Sequence, residues 1–380
     1  MADMVFRLDP EVIVGMDVVN RVGAFCGKYG NKILITTEQG LHEKKLIDRL
    51  VEILETAGME TILFDEVQSQ ASQDEVEDAA SLARGARCDM VLGFGGLKTQ
   101  YTARLAAILG GSQLRLFDIL DGKMEEKNFL PYVAIPTAGG DPFLFSDQLI
   151  VVDPRDKSPK LIKCPVGLAK LVIMDPSLES LGGKNASTAA FDGLCLSMEA
   201  YCSKKASFFS DAVLEQAIAL YAKMMHSYVG NQTPDFSSDS VNANFLMSLG
   251  ASVSAPGIGT ALAYALNARF PVAKPWSSTV LLPYVIERLA TARPEKIAKA
   301  AALMGENVEA ASKADTANML SDLIRRCMGQ LSVPARLKDF NLSLDRLVPV
   351  AEAARNLEFV SFSPWTVTSE DAYDMLKQAF

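Results

Sequence analysis

The sequence predicts an α/β chain in two parts: an amino-terminal domain built on a parallel sheet, residues 1–175, and an all-helical carboxy-terminal domain, residues 176–380. Three observations carry this. Short β-rich runs alternate with helix-period segments through the first half, the pattern of βαβ units. After Asp175 the texture changes to alanine- and leucine-rich periodic segments. A chain of 380 residues also exceeds one compact core of ordinary size, which favours two domains.

The first half reads in order. "KILITT" from Lys32 is a β-branched strand, and "EKKLIDRLVEILETAG" from Glu43 is an amphipathic helix. "METILFDEV" from Met59 is a strand, "QDEVEDAASLARGAR" from Gln73 a helix, and "CDMVLGFGG", ending at Gly96, a strand that runs into glycines. "FLPYVAIPT", ending at Thr137, gives another strand; "DQLIVVD", "PKLIKC" and "AKLVIMD" read as shorter strands or a hairpin extension. In the second half, "LGG" at Leu181 to Gly183 and "TPDFSSDS" from Thr233 break the helices. The last helix opens on Thr368 and Asp371 in capping-box spacing, with aspartate where Glu or Gln is usual.

Composition excludes several classes. Hydrophobic residues make up 49% and charged residues 22%, so the chain is ordered and globular. A formal net charge of −9 without a basic run opposes nucleic-acid phosphates. The uncharged run from Val241 to Asn267 holds Asn242, Asn244, Pro256 and three glycines, and reads as a core helix pair rather than a membrane span. Six cysteines without CxxC spacing predict reduced, buried thiols. The opening residues show no export signal, so a cytoplasmic location is expected.

Chemistry concentrates where strands end. In a parallel sheet, ligands sit at the carboxyl ends of strands, where a loop and a helix amino terminus offer N–H groups to phosphate. "GFGGLKTQYTAR", Gly93 to Arg104, lies at such a place, with Gly95, Gly96 and Leu97 in the turn and Lys98 adding a positive charge. "IPTAGGDPF", Ile135 to Phe143, with Thr137, forms a second glycine-bearing loop. Two such loops suggest a long ligand with two phosphates.

These segments together resemble the iron-containing alcohol dehydrogenase family, kin of glycerol dehydrogenases and dehydroquinate synthases, over essentially the whole length. "GFGGLKTQYTAR" stands where that family has GGGSxxDxAK, and "IPTAGGDPF" where it has PTTAGTGSE. "LVIMDPSL" matches a strand ending in DPxL, "AAFDGLCLSMEAY" is similar to xGxDALxHAxEAY, and "FSPWTVTSEDAYDML" to NPRPVTxEDIxxLL. The resemblance implies an N-terminal parallel-sheet dinucleotide-binding domain followed by an all-helical C-terminal domain, NAD or NADP as cofactor, a small-molecule substrate in a cleft between the domains, and an oligomer, a homodimer or larger.

Departures from the pattern are informative. The family holds iron or zinc with one aspartate and three histidines, and the metal polarises the substrate oxygen. The aspartate carries over onto Asp192, but the histidines fall on Leu196, Thr260 and Lys274, and a proton-transferring histidine falls on Tyr264. The chain has only two histidines, His42 and His226, neither at a ligand position, so no metal is expected. An apolar cleft would penalise Asp192 left alone, and Lys274 carries one compact charge that could replace the cation. An Asp192–Lys274 ion pair, with Tyr264 relaying a proton, is therefore expected as the catalytic group; the alternative is a Lys274 that reaches solvent from a loop before Pro275.

The cofactor side departs too. Leu97, Lys98 and Tyr101 replace a glycine, the serine and the aspartate of the first motif, and Pro142 and Phe143 replace Gly and Ser in the second. The cofactor-selecting aspartate lands on Thr37, with Glu38 adjacent, which leaves NAD and NADP both open. Lys160 matches a lysine near the cofactor ribose, or is an exposed hairpin charge. Two functions follow: an oxidoreductase transferring hydride between a small alcohol and its carbonyl compound without the usual metal, or a protein of this fold that has lost catalysis and serves as a binding or regulatory partner.

Overall fold

The computed structural model describes residues 6, 8–67, 73–123, 129–179, 183–229, 237–308 and 312–380. The chain divides into two compact units, one formed by residues 6–138 and 143–181, the other by residues 139–142 with 182–380.

The first unit is an open parallel sheet. Its strands are β1 (Glu11–Val14), β2 (Lys32–Thr36), β3 (Glu60–Phe64), β4 (Met90–Gly95), β5 (Tyr132–Pro136) and β8 (Leu171–Met174), in the order β1-β8-β5-β4-β2-β3. Every pairing is parallel. Strands covered on both faces need apolar residues at consecutive positions, and all six residues of β4 are buried. The connections are α1 (Val22–Cys26), α2 (Gly40–Glu43), α3 (Leu46–Thr56), α4 (Gln73–Ala86), α5 (Leu97–Gly110) and α6 (Leu116–Leu120). One core joins Ile33, Ile35, Leu92, Phe94 and Ile135 of the sheet to Leu50 and Leu54 of α3. β6 (Gln148–Asp153) and β7 (Ser158–Lys163) pair antiparallel as a separate hairpin, whereas "AKLVIMD" joins the main sheet as β8.

Helix α5 is buried from Thr99 to Gly110, so its polar side chains are used internally. The Gln100 amide donates to the carbonyls of Gly93, Gly95 and Ile135, and the Tyr132 hydroxyl donates back to it. Gln100 thereby locks the first turn of α5 to the ends of β4 and β5. Arg104 satisfies the carbonyls of Phe143, Ser146 and Gln148.

The second unit is helical throughout its described residues: α7 (Gly183–Cys202), α8 (Phe208–Val229), α9 (Ser237–Ser252), α10 (Ile258–Arg269), α11 (Lys274–Ala292), α12 (Pro294–Leu303), α13 (Lys313–Gln330), α14 (Val348–Arg355) and α15 (Ser369–Gln378), with short 3₁₀ turns. α7 is buried from Ser187 to Cys202, which explains its alanines and its glycine: a central helix wants small residues on every side. The Val241–Asn267 run resolves into α9 and α10, and among the described residues no helix is long and apolar enough to cross a membrane. Thr368 caps α15 as its spacing predicts, with Asp371 reaching back to the Thr368 N–H. Ser237 to Ser240 open α9 instead of breaking it; Leu181, Gly182 and the stretch from Thr233 to Phe236 lie outside the described residues. All six cysteines are free and buried.

Candidate functional site

Two places gather chemistry. The first is the turn from β4 into α5. Gly95 has φ +156°, and a Cβ there would fall 2.7 Å from the Thr99 hydroxyl, so only glycine makes this turn. Gly96 is the N-cap of α5, extended and without a side-chain cap, and Leu97 follows as the first helical residue. The α5 amino terminus therefore presents its N–H groups uncapped.

Lys98 lies in this first turn with its Nζ buried and without a hydrogen bond among the described residues. Burial holds its ammonium down to about 8, against the pull of Glu75 and Glu38. Thr37 is fully buried with its hydroxyl also unbonded, while the Thr137 N–H donates to the Gly95 carbonyl at 3.1 Å. Glu38 reaches this turn: it accepts from the Thr99 hydroxyl at 3.4 Å and lies 3.8 Å from where a Cβ on Gly96 would stand. Lys160 does not join them; it stands half-exposed on β7, paired with Asp156 at 3.2 Å.

The second place is in the helical unit. Lys274 is not in a loop: it is the first residue of α11, only 4% exposed, so the alternative of a solvent-reaching lysine falls. Its Nζ donates to both carboxylate oxygens of Asp192 on α7, at 2.6 and 2.7 Å. The same ammonium sits 5.1 Å from the centre of the Tyr264 ring on α10. Asp192, Lys274 and Tyr264 thus meet, from three helices. Cys195 is a fully buried residue of α7 whose thiol burial pushes well up, with Glu199 and Asp192 adding to the effect; it is core.

The histidines stand elsewhere. His42 pairs with Asp65 at 3.1 Å, and His226 lies 2.9 Å from the Met304 carbonyl.

An open parallel sheet with an uncapped glycine turn leading into a helix is the layout of a phosphate- or dinucleotide-binding α/β scaffold. Residues 9–176 match the family described as iron-containing alcohol dehydrogenase, and residues 186–380 its carboxy-terminal domain. The chain belongs to the iron-containing alcohol dehydrogenase family of oxidoreductases.

It is 26% identical over 372 residues to the 1,3-propanediol dehydrogenase of Klebsiella pneumoniae, covering 96% of each chain. It is 26% identical over 369 residues to the long-chain-alcohol dehydrogenase 1 of Geobacillus thermodenitrificans, covering 95% of this chain and 91% of the relative. Among solved structures, a 1,3-propanediol oxidoreductase superposes with a TM-score of 0.91 at 24% identity over the full length of both chains. The sulfoacetaldehyde reductase of Bifidobacterium kashiwanohense, solved with NAD+, gives 0.84 at 16% identity, covering 100% of this chain and 99% of that one.

The family's metal does not fit the residues present. Both Asp192 oxygens are taken by an ammonium, the Thr260 hydroxyl donates to Glu199, and Leu196 offers no donor atom. Among the described residues no three His, Cys, Asp or Glu side chains cluster to hold an ion. A nicotinamide dinucleotide does fit: the uncapped α5 terminus and the unbonded Lys98 are suited to a diphosphate.

Spacing located Asp192 and Lys274 through the family pattern. It did not single out Glu38, visible only as the neighbour of Thr37, because strand-end geometry decides which of two consecutive residues faces the turn.

Proposed function

We propose that this chain transfers hydride between a nicotinamide dinucleotide and a small alcohol or its carbonyl compound, with the Asp192–Lys274 pair doing the electrostatic work of the absent metal. The two-pronged bond from Lys274 to Asp192 in a buried setting is the observation that carries this reading. An ammonium has three N–H groups; Asp192 takes two, which in this reading leaves the third for a substrate oxygen. The bonds to Asp192 hold the ammonium in place.

In the reducing direction the bound cofactor supplies the hydride. Lys274 donates to the carbonyl oxygen and offsets the charge that grows there, Asp192 fixes the direction of the donor, and Tyr264 passes a proton to the alkoxide. In a low-dielectric pocket such a donor is worth far more than in water. In the oxidising direction the same groups hold the alcohol and remove its proton.

A bound cofactor's diphosphate would be held by Gly95, Gly96, Leu97 and Lys98, through backbone N–H groups and charge, beside Thr137. Glu38 supplies the carboxylate that Thr37 does not: at the end of the second strand it would accept from a ribose 2′-hydroxyl and repel a 2′-phosphate, which favours NAD over NADP. Lys160, already paired with Asp156, has no part in this reading.

The test follows NADH oxidation with short aldehydes, wild type against Lys274→Met. Turnover that falls about a hundredfold or more, with NADH affinity unchanged, supports the reading. An unaffected variant, or a wild type that neither binds NADH at millimolar concentration nor turns over, overturns it.

A further inference from the structure

Glu199 is a buried carboxylate that pairs with no cation among the described residues. It lies on α7, 3% exposed, and accepts four hydrogen bonds: from the N–H groups of Gly257, Gly259 and Thr260 at 3.1, 2.6 and 3.1 Å, and from the Thr260 hydroxyl at 2.6 Å. Burial pushes its pKa up while these donors pull it back. Three backbone N–H groups and a hydroxyl donate to it, and these bonds favour the ionised form against that burial. They belong to the first turn of α10, whose N-cap, Gly257, has no side chain to cap it. Glu199 does that work from another helix, where the helix dipole favours negative charge.

The two glycines make the approach feasible. A Cβ on Gly257 would stand 2.6 Å from Glu199 Oε1, and one on Gly259 3.1 Å from the same atom. The loop is shaped around this carboxylate as backbone nests are shaped around anions.

Following the contacts closes a ring. Asp192 and Glu199 are seven residues apart on α7, two turns along one face. Asp192 binds Lys274 of α11, the Lys274 ammonium lies over Tyr264 of α10, Tyr264 is one turn from Thr260, and Thr260 returns to Glu199. An ion ligated from three helices would cross-link them at one point; here two carboxylates on one helix clamp the other two.

We propose that Glu199 is a positioning residue: by holding the first turn of α10 it keeps the Tyr264 ring under the Lys274 ammonium. This rests on the reading of Lys274 and Tyr264 as the reacting pair. Glu199 touches neither substrate nor cofactor, and acts through Thr260 and the α10 backbone.

The experiment compares wild type with Glu199→Gln, which sets an amide donor against amide donors, and with the milder Thr260→Val and Thr260→Ser. Acetylation of Lys274 by acetic anhydride is read by peptide mass spectrometry, alongside kcat, KM and thermal melting. Thr260→Val is expected to speed Lys274 acetylation about tenfold and to lower kcat by a similar factor with KM little changed, while Thr260→Ser recovers both. If Thr260→Val lowers the melting temperature but leaves Lys274 acetylation at the wild-type rate, Glu199 only stabilises the fold and the inference fails. Should Glu199→Gln not fold, Thr260→Val alone decides between these two outcomes. Acetylation needs no turnover, so a wild type inactive towards every aldehyde would sink the hydride-transfer reading and leave this result to be judged separately.

Discussion

Two lysines whose ammonium groups are buried are held in opposite ways. Lys274 gives two N–H groups to Asp192 and rests on Tyr264; Lys98 lies at a helix amino terminus with no hydrogen bond among the described residues and an ammonium depressed to about 8. A charge compensated within the fold can serve as a fixed tool, because substrate need not neutralise it. A charge that feels Glu75 and Glu38 only through space and has no hydrogen bond among the described residues, beside helix N–H groups of the same polarity, favours a bound anion. The first suits the polarising donor proposed for it and the second the proposed diphosphate cradle.

The largest effect should come from breaking the compensated pair on one side. Asp192→Ala strands an ammonium in an apolar interior and should cost about 3–5 kcal/mol in urea unfolding. Lys274→Met strands the carboxylate, which can take a proton, and should cost less. Combining them should cost less than the two singles added, and strict additivity would mean that the pair is not coupled.

Lys98 should behave inversely. Lys98→Met removes a destabilising charge, so the fold should hold or gain about 1 kcal/mol in the same unfolding assay. NADH affinity should meanwhile weaken about tenfold by calorimetric titration, the worth of one charge-assisted hydrogen bond. A Lys98→Met protein that loses stability and binds NADH normally would dissolve the contrast.

Protonation sharpens it further. Lys98 is neutral in the folded chain above about pH 8, whereas the unfolded chain keeps its lysines charged to about pH 10.4. In that window the unfolded state binds the extra proton, so wild-type stability should rise relative to Lys98→Met. Over the same window NADH affinity should fall, because the diphosphate loses its cation, and Lys98→Met should show neither trend. The smallest effect concerns Glu38: Glu38→Ala should improve the kcat/KM of NADPH relative to NADH by several-fold, and an unchanged ratio would remove Glu38 from cofactor choice.

Much of this was legible in the sequence, for identifiable reasons. Parallel strands buried on both faces write themselves as apolar runs, so "MVLGFG" and "YVAIP" were readable as strands and their glycine ends as loops. Asp192 and Lys274 were readable as partners because a lysine stands where the family pattern has a metal ligand. The Glu199 clamp was not, because its partners are three backbone N–H groups and one hydroxyl some 60 residues away, and sequence spacing does not connect them to it. The unbonded state of Lys98 is likewise a property of its surroundings; a lysine after a glycine turn reads the same whether its ammonium is bonded or not.

The most direct test is elemental analysis of purified protein joined to an activity assay after exhaustive dialysis against a chelator. The account predicts far less than one transition-metal ion per chain and aldehyde reduction with NADH that chelation leaves unchanged. Activity lost on chelation and restored by iron or zinc would contradict it.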